Sequence, residues 1–252
     1  PIQTSLPIDA VKKSYSLMYI SSANDRAQVI RTANEAILEL THHTPGPIQL
    51  NVEELDNETW VLSSLRQLPD VRCIRRFTSL DNLSNSLEGK KVMLLIGEHL
   101  PFNEIVTEAI ERFCKVYDVV VCAVPISNYH GKYALNCSLT MNSMMQEVFE
   151  GKYLPNILIS IGRITGDYAI FSRLSSVIEG GFEHWRVNPD GAIVDTYNQL
   201  TSVFEMPEDM FFNKMADLHI DLQNHSYYDL WKEAVEQRNI SLDLPFSNLY
   251  AA

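Results

Sequence analysis

The chain has 252 residues, of which 46% are hydrophobic, and its 20 Lys and Arg residues are outnumbered by 32 Asp and Glu residues, which gives a formal net charge of −12. This acidic balance without a basic cluster argues against nucleic acid as a partner, because phosphate binding depends on clustered Lys and Arg side chains. No apolar stretch approaches the roughly 18–20 residues that span a bilayer, and the first residues lack the apolar core of a secretion signal. We therefore expect a cytoplasmic protein that makes no contact with membranes.

The first predicted elements are a helix and a short strand. The segment 25–40 has apolar residues at helical spacing, which predicts one buried face. The residues of this face are Ile30, Ala33, Ile37 and Leu40. Ser22 followed by Asp25 is typical of a capping box at the start of the helix. The Pro-Gly-Pro sequence at 45–47 ends the helix, because proline cannot continue it, and the apolar IQLNV at 48–52 favours a strand.

Beyond a polar connector at 57–68, strand patterns alternate with helix patterns. The strand patterns are 71–77, 90–98, 119–127, 156–162, 182–189 and 201–206. The helix patterns between them are 102–118, 138–149 and 167–179. Such alternation predicts βαβ units with right-handed crossovers, and the uninterrupted apolar runs are typical of strands buried on both faces of a parallel sheet. We therefore predict an α/β fold with a doubly wound, mainly parallel, Rossmann-like sheet and flanking helices.

The predicted helices carry details that the structure can test. The helix at 102–118 has Pro101 at its first position and a predicted buried stripe. The residues of this stripe are Ile105, Ala109, Phe113 and Val116. Two further helices are predicted after the last strand, at 207–219 and 226–238, and Ser226 with Asp229 resembles a capping box at the start of the second.

Two strand ends carry glycine turns of the kind that bind ligands. In an open parallel sheet, ligands bind beyond the carboxyl ends of the strands. One turn contains Gly97 and Glu98. The other turn contains Gly162, Arg163, Thr165, Gly166, Asp167 and Tyr168. Neither turn has a G-x-G-x-x-G or GK[ST] pattern, so two interpretations stay open. These are turn glycines of an ordinary α/β domain, or a ligand site whose best polar groups are Arg163 and Asp167.

The remaining motifs predict no catalytic or metal-binding group. Asp190-Gly191 resembles part of a metal–diphosphate motif, but no helix pattern follows it, so we predict a turn between strands. His42-His43 follows a helix, where imidazolium groups would cap carbonyls. The seven histidines show no ligand spacing, and HExxH and G-x-S-x-G are absent. The four cysteines have no CxxC spacing, which favours buried free thiols.

A short motif near the start of the chain carries a resemblance to a known family. The sequence GPIQLNV from Gly46 to Val52 is similar to the G-P-[VI]-x-[LI]-N-[VI] strand that typically closes the pyrimidine-binding domain of thiamine-diphosphate-dependent decarboxylases and carboligases. The order of the later elements resembles the central α/β domain of this family, and segments 154–170 and 182–206 are most similar to its menaquinone-pathway member. The resemblance covers nearly the whole chain.

The resemblance implies three parts in this chain. Residues 1–56 would be the end of the pyrimidine-binding domain, 57–206 the central domain, and 207–252 a linker with the start of the diphosphate-binding domain. The family's activating glutamate lies before the matched region, and its G-D-G…N metal and diphosphate motif lies after it. Because the chain also begins at Pro1 and ends within a helical pattern, we expect a middle fragment that holds no catalytic residue, metal or cofactor by itself.

The resemblance also implies the chemistry of the complete parent enzyme. The parent would use thiamine diphosphate and Mg²⁺ to decarboxylate a 2-oxoacid and to join the resulting carbanion to an acceptor. Its partners would be the remaining domains of its own chain and further copies in a homodimer or tetramer. The alternative hypothesis is a self-standing Rossmann-like module that binds a nucleotide or regulatory ligand at the turns of Gly97 and Gly162.

One turn departs from the pattern of the menaquinone-pathway member. There, basic residues after the strand at 156–162 contact the carboxylates of the substrate, whereas this chain has Asp167 and Tyr168 at the matching positions. An aspartate would repel a dicarboxylate. Three alternatives follow: a different acceptor, a paralogue with another 2-oxoacid or acceptor, or a match that is offset by a few residues.

Overall fold

The computed structural model describes residues 6–7, 9–53, 70–81, 83, 87–164, 166–217 and 224–238. The predicted connector at 57–68 lies outside these residues. The strands are β1 (Lys13–Leu17), β2 (Ile48–Val52), β3 (Arg75–Phe77), β4 (Val92–Ile96), β5 (Val119–Ala123), β6 (Ala134–Leu135), β7 (Ile157–Ile161), β8 (Glu183–Val187) and β9 (Leu200–Phe204). The helices are α1 (Ala23–Glu39), α2 (Glu104–Val116), α3 (Ser138–Ser143), α4 (Gln146–Val148), α5 (Tyr168–Ser175), α6 (Glu208–Ala216) and α7 (Ser226–Glu236).

Seven strands form one sheet in the order β3-β9-β8-β7-β4-β5-β6, and every neighbouring pair is parallel. The predicted α/β fold with a parallel sheet is therefore confirmed. β4 lies between β5 and β7, so the chain proceeds from β4 toward one edge of the sheet and then returns to the other side of β4 at β7. The crevice between the ends of β4 and β7 is the topological switch point of the fold.

The core lies on both faces of this sheet. All five residues of β4 are buried, and alternate residues face opposite sides because the side-chain period of a strand is two. Val92, Leu94 and Ile96 pack in the cluster that contains Phe113 of α2, which lies against α6. Met93 and Leu95 belong to a second cluster, which contains aromatic residues of α7. Burial on both faces explains why the strand has no polar residue.

Two predicted helix faces are wrong in part. Ile37 and Leu40 of the first predicted face are exposed, and α1 instead buries Ala27, Ile30 and Ala36. Small alanines let this helix pack closely against its neighbours, so the buried face is not the one that carries most of the large apolar side chains. In α2, Ile105 is exposed whereas its neighbour Val106 packs against the core, so the buried face of the first turn lies one residue away from the predicted one.

The first backbone N–H groups of several helices are capped by side chains, and a capping residue can lie far away in the sequence. Ser22 accepts a hydrogen bond from Asp25 N, as predicted for the start of α1. The start of α2 is capped by Asn103, and Pro101 lies before the cap. The start of α7 is capped from a distance, because the Asp118 carboxylate accepts hydrogen bonds from the backbone N–H groups of Tyr227 (2.8 Å) and Tyr228 (3.0 Å). The predicted Ser226–Asp229 capping box is therefore wrong.

The predicted helix at 138–149 is broken. α3 ends at Ser143, Met144 is extended, and a short α4 follows. Arg173 of α5 donates hydrogen bonds to the carbonyls of Met141 and Met144. A long-range side chain thus satisfies carbonyls that a continuous helix would satisfy internally.

The N-terminal residues form a separate βαβ unit, in which β1 and β2 pair in parallel and α1 connects them. The sequence pattern predicted β2 and α1 but not β1. Asn34 of α1 links this unit to the segment before β3, since its side chain accepts from Ile74 N at 2.7 Å and donates to Arg72 O at 3.1 Å. No helix in the described part of the chain is both long and apolar enough to cross a membrane.

Candidate functional site

The two predicted glycine turns meet at the switch point. Gly97, after β4, donates a hydrogen bond from its N–H to Ile161 O at 3.1 Å, and Arg163 N, after β7, donates to Glu98 O at 2.9 Å. The two turns therefore form one hydrogen-bonded unit at the carboxyl ends of adjacent strands.

Both glycines are required by the closeness of these turns. A Cβ atom at Gly97 would overlap the carbonyl oxygen of Arg163. A Cβ atom at Gly162 would lie 2.6 Å from the carbonyl oxygen of Glu98, and Gly162 also has a left-handed φ of +73° that disfavours other residues. Packing between the turns is thus sufficient to explain the two glycines.

A small cavity of about 240 Å³ opens beside these turns. Its polar lining comes from Ser160, Arg163, His184, Arg186, Thr196 and Tyr197. Pockets for drug-sized ligands have volumes of roughly 300–1,000 Å³, so this cavity fits a small ligand and excludes a whole nucleotide.

A buried serine–histidine pair forms one wall of the cavity. Ser160 Oγ lies 2.8 Å from His184 Nε2. Burial lowers the pKa of His184 to about 3, and the charges of Arg186 and Arg72 act in the same direction. His184 is therefore neutral at neutral pH. Its Nδ1 is buried without a hydrogen-bond partner in the described residues.

Arg186 supplies a positive charge to the same wall. The residue is 8% exposed, and its Nε is buried without a hydrogen-bond partner among the described residues. Burial lowers the pKa of Arg186, while Asp190 and Glu208 raise it, but the ordinary pKa of arginine is so high that the guanidinium stays charged. A buried guanidinium without a close carboxylate is costly, and an anionic ligand would remove that cost.

A larger cavity of about 640 Å³ lies on the other side of Arg163. Glu98, Glu208 and Asp209 line it, together with His99. Burial raises the pKa of Glu208, and His99 Nε2 lies 3.2 Å from its carboxylate. Three acidic groups around one arginine would repel the phosphates of a nucleotide.

The structure separates the predicted site residues. Gly97 lines the smaller cavity, Arg163 lines both cavities, and Glu98 and Gly162 line the larger one. Asp167 caps α5 instead, because its Oδ1 accepts hydrogen bonds from Ala169 N at 3.0 Å and Ile170 N at 3.1 Å. Tyr168 is exposed. Gly166 has a left-handed φ of +65°, and Thr165 lies outside the described residues.

Three polar residues of the small cavity were missed or assigned to packing. Ser160 stands in β7, and His184 and Arg186 stand two residues apart in β8. His184 and Arg186 are at a period of two and so share one face of the strand, but this pattern alone does not distinguish a packed polar face from one that lines a cavity. Asp190-Gly191 forms the predicted turn, in which Ala192 N donates to Asp190 Oδ1 at 2.8 Å, and residues 192–199 contain no helix.

Comparison with known proteins gives a consistent set of relatives. No protein-family model matches the chain. The 2-succinyl-5-enolpyruvyl-6-hydroxy-3-cyclohexene-1-carboxylate synthase of Bacteroides thetaiotaomicron is 28% identical over 241 residues, which cover 88% of this chain and 40% of that protein. The synthase of the same name from Bacteroides fragilis is 27% identical over 261 residues, and the match covers 96% of this chain and 44% of that protein. The one from Phocaeicola vulgatus is 28% identical over 240 residues, which cover 88% and 40%.

These comparisons confirm the resemblance to the menaquinone-pathway synthase. The chain spans about two fifths of the length of the curated relatives it matches. A solved structure from Mycobacterium smegmatis, of a protein classed as thiamin diphosphate-dependent, aligns with a TM-score of 0.36 at 12% identity and covers 89% of this chain and 42% of that one.

Proposed function

We propose that this chain is the middle part of a thiamine-diphosphate-dependent 2-oxoacid decarboxylase and carboligase, and that its own role is architectural. The observation that carries the proposal is the similarity to the synthase over 88% of the chain, matched to only 40% of the relative. The catalytic groups would then lie in the parts of the parent outside this chain, which correspond to the unmatched three fifths of the relative. In this proposal, residues 57–206 are the central domain, and residues 1–56 and 207–252 belong to its two neighbours.

Two positions among the described residues argue against a site for thiamine diphosphate and its Mg²⁺ there. The Asp190-Gly191 turn precedes residues without helix, whereas a diphosphate is commonly held at a helix N-terminus. At α5 that position is taken by the Asp167 carboxylate, which already accepts two backbone hydrogen bonds. We therefore assign the binding of thiamine diphosphate and its Mg²⁺ to the rest of the parent, and no catalytic step to this chain.

The same aspartate bears on the acceptor. In this proposal Asp167 and Tyr168 correspond to the basic residues of the menaquinone-pathway member, so a dicarboxylate would meet a negative charge there. We propose that the parent is a cytoplasmic homodimer or tetramer that joins a 2-oxoacid-derived carbanion to an acceptor with fewer carboxylates at this position.

The test compares this chain with the complete polypeptide from its source. We expect the intact endogenous protein to be well above 28.7 kDa, to bind thiamine diphosphate with Mg²⁺ in calorimetry, and to release CO₂ from a member of a 2-oxoacid panel. The 252-residue chain alone should neither bind the cofactor nor release CO₂. Cofactor binding by the chain alone would contradict the architectural role, and failure of the complete polypeptide to bind it would contradict the parent assignment.

A second candidate function is the binding of a small regulatory anion in the 240 Å³ cavity. The specific observation in its favour is the buried charge of Arg186, which forms no ion pair within 4 Å among the described residues, although Asp190 and Glu208 act on it from farther away. The cavity is too small for a nucleotide, so this candidate narrows to a phosphate or small carboxylate held by Arg186, with His184 and Ser160 as hydrogen-bonding neighbours. Binding of such an anion is compatible with an architectural role of this chain in the parent.

Replacing Arg186 with Met is expected to abolish anion binding and to stabilise the chain. Removal of a buried guanidinium that has no ion-pair partner within 4 Å relieves its desolvation cost, which we expect to stabilise the chain by about 1 kcal/mol. The measurement is urea unfolding with and without inorganic phosphate or succinate. We expect either anion to raise the midpoint of the wild type and to leave Arg186→Met unchanged.

The matched control is Arg112→Met, which removes a half-exposed arginine elsewhere on the surface. This control should keep the response to anions. An anion response that survives Arg186→Met, or a loss of stability as large as that of a core substitution, would contradict the assignment of Arg186 as a ligand-binding residue.

A further inference from the structure

Two imidazoles and one carboxylate converge where the N-terminal unit contacts the central sheet. His42 Nε2 lies 3.1 Å from Glu205 Oε2, and His43 Nδ1 lies 3.6 Å from Glu205 Oε1. One ligand atom from each residue lies within 4.8 Å of the other two. The histidines follow α1 and Glu205 follows β9, so this cluster joins residues that are far apart in the sequence.

The backbone conformation places both imidazoles next to the Glu205 carboxylate. His43 has a left-handed φ of +52°, which is uncommon for a residue other than glycine. The two rings are stacked with centroids 3.8 Å apart, so one imidazole must rotate about its side-chain torsions for both ring nitrogens to bind the same ion. The carbonyls at the end of α1 do not need them, because Lys12 Nζ donates to Glu39 O at 2.7 Å and to His42 O at 2.6 Å. The predicted capping role of the histidines is therefore filled by Lys12.

Neighbouring groups hold the cluster in position. Glu39 Oε2 lies 3.6 Å from His42 Nδ1, on the opposite edge of the ring from Glu205. Arg76 Nε lies 3.7 Å from Glu205 Oε2. A carboxylate behind a histidine is a usual outer contact of a metal ligand. Arg76 Nε donates its hydrogen bond to Gly191 O at 3.1 Å and places only a positive charge near Glu205. Gly191 leaves room for the carboxylate, because a Cβ atom there would lie 2.5 Å from Glu205 Oε2.

We propose that His42, His43 and Glu205 form a binding site for Zn²⁺ that connects the N-terminal βαβ unit to the central sheet. Two imidazole nitrogens and a carboxylate oxygen are a ligand set that Zn²⁺ prefers, and three protein ligands leave a fourth position for water. The side chains of His42 and Glu205 are 14% and 12% exposed, whereas His43 is 68% exposed. The ion would therefore enter from the side of His43.

A simple hydrogen bond between His42 and Glu205 explains only part of this geometry. It does not require His43 to adopt a left-handed backbone or to face the second oxygen of the same carboxylate. The positive charge of Arg76 opposes a cation, so the affinity should be moderate rather than that of a closed four-ligand site. The role of the ion is to hold two structural units together, and no reaction is assigned to it.

The first experiment titrates Zn²⁺ and Co²⁺ into the chain after removal of metal with a chelator. We expect one ion per chain, a visible Co²⁺ spectrum of low-symmetry four-coordinate type, and its loss when Zn²⁺ is added. At an ion concentration of about 100 times Kd, the melting temperature should rise by roughly 5–10 °C. Absence of a bound ion or of any thermal shift would overturn the proposal.

Variants then test the ligands. His43→Asn keeps a residue that tolerates the left-handed conformation and should weaken binding by about 10-fold or more. Glu205→Gln keeps the shape of the carboxylate and should have at least this effect. His130→Asn removes an exposed histidine far along the chain and should leave binding unchanged. Equal binding by His43→Asn and the wild type would show that the ion lies elsewhere.

Discussion

Replacing Arg72 with Met is expected to lower the free energy of unfolding by about 3–5 kcal/mol, as is typical when one partner of a buried ion pair is removed. Arg72 Nη2 lies 2.8 Å from Asp195 Oδ2, and the two side chains are 8% and 0% exposed. The Met variant would leave the Asp195 carboxylate buried without its counter-charge. The measurement is the urea unfolding midpoint with a constant m value.

This ion pair holds an unusual connection in the sheet. β8 and β9 are parallel, yet residues 188–199 connect them without a helix. Asp195 Oδ1 accepts hydrogen bonds from Gln199 N and Leu200 N, both at 2.9 Å, and Arg72 Nη1 donates to Leu200 O at 2.7 Å. The pair thus fixes the end of the loop against the first residue of β9, and its loss should affect the whole edge of the sheet.

A double variant separates the charge from the hydrogen bonds. Asp195→Asn retains the acceptor Oδ1 but removes the charge, so Arg72→Met with Asp195→Asn should be less destabilised than the sum of the single changes by about 1–3 kcal/mol. Arg26→Met breaks a partly exposed pair with Glu179, whose other oxygen lies 3.3 Å from Arg72 Nε, and should cost less than about 1 kcal/mol. If Arg72→Met has an effect as small as that of Arg26→Met, the buried pair does not stabilise the loop.

The parts of the fold that could be predicted from the sequence are those determined by neighbouring residues within one strand, helix or turn. β4, β5 and β7 are apolar runs flanked by helix patterns, and burial on both faces requires that composition. The alternation of these elements was sufficient to predict a parallel sheet, and the carboxyl-end rule was sufficient to single out the Gly97 and Gly162 turns. That the two turns meet in one crevice follows from the strand order, which the sequence did not predict.

The remaining features depend on contacts between distant residues. The cap of α7 comes from Asp118, 109 residues before Tyr227, and no local pattern contains it. The His42–Glu205 contact spans 163 residues, so histidine spacing alone did not predict a metal site. His184 and Arg186 lie in β8, whose sequence is EHWRV, and a single sequence does not distinguish a packed polar residue from one that lines a cavity.

The second large effect is expected from Gly97→Ala. The added methyl group would overlap the carbonyl oxygen of Arg163, and neither backbone can move without breaking the hydrogen bonds that join the turns. We expect a loss of about 3 kcal/mol or more, at or above the upper end of the usual cost of overpacking. Because Gly97 and Arg163 both line the small cavity, the stabilisation by phosphate should also disappear. Urea unfolding with and without phosphate measures both effects.

Gly89→Ala is the control that separates overlap from backbone conformation. Gly89 has a left-handed φ of +66° but nothing within 4 Å of its added Cβ, so its cost should be only the roughly 1–2 kcal/mol of the left-handed conformation. Gly162→Ala combines that conformation with a contact of 2.6 Å to Glu98 O and should exceed it. If all three substitutions cost the same, contact between the two turns does not determine the structure of the switch point, and the anion site would have to be held by β7 and β8 alone.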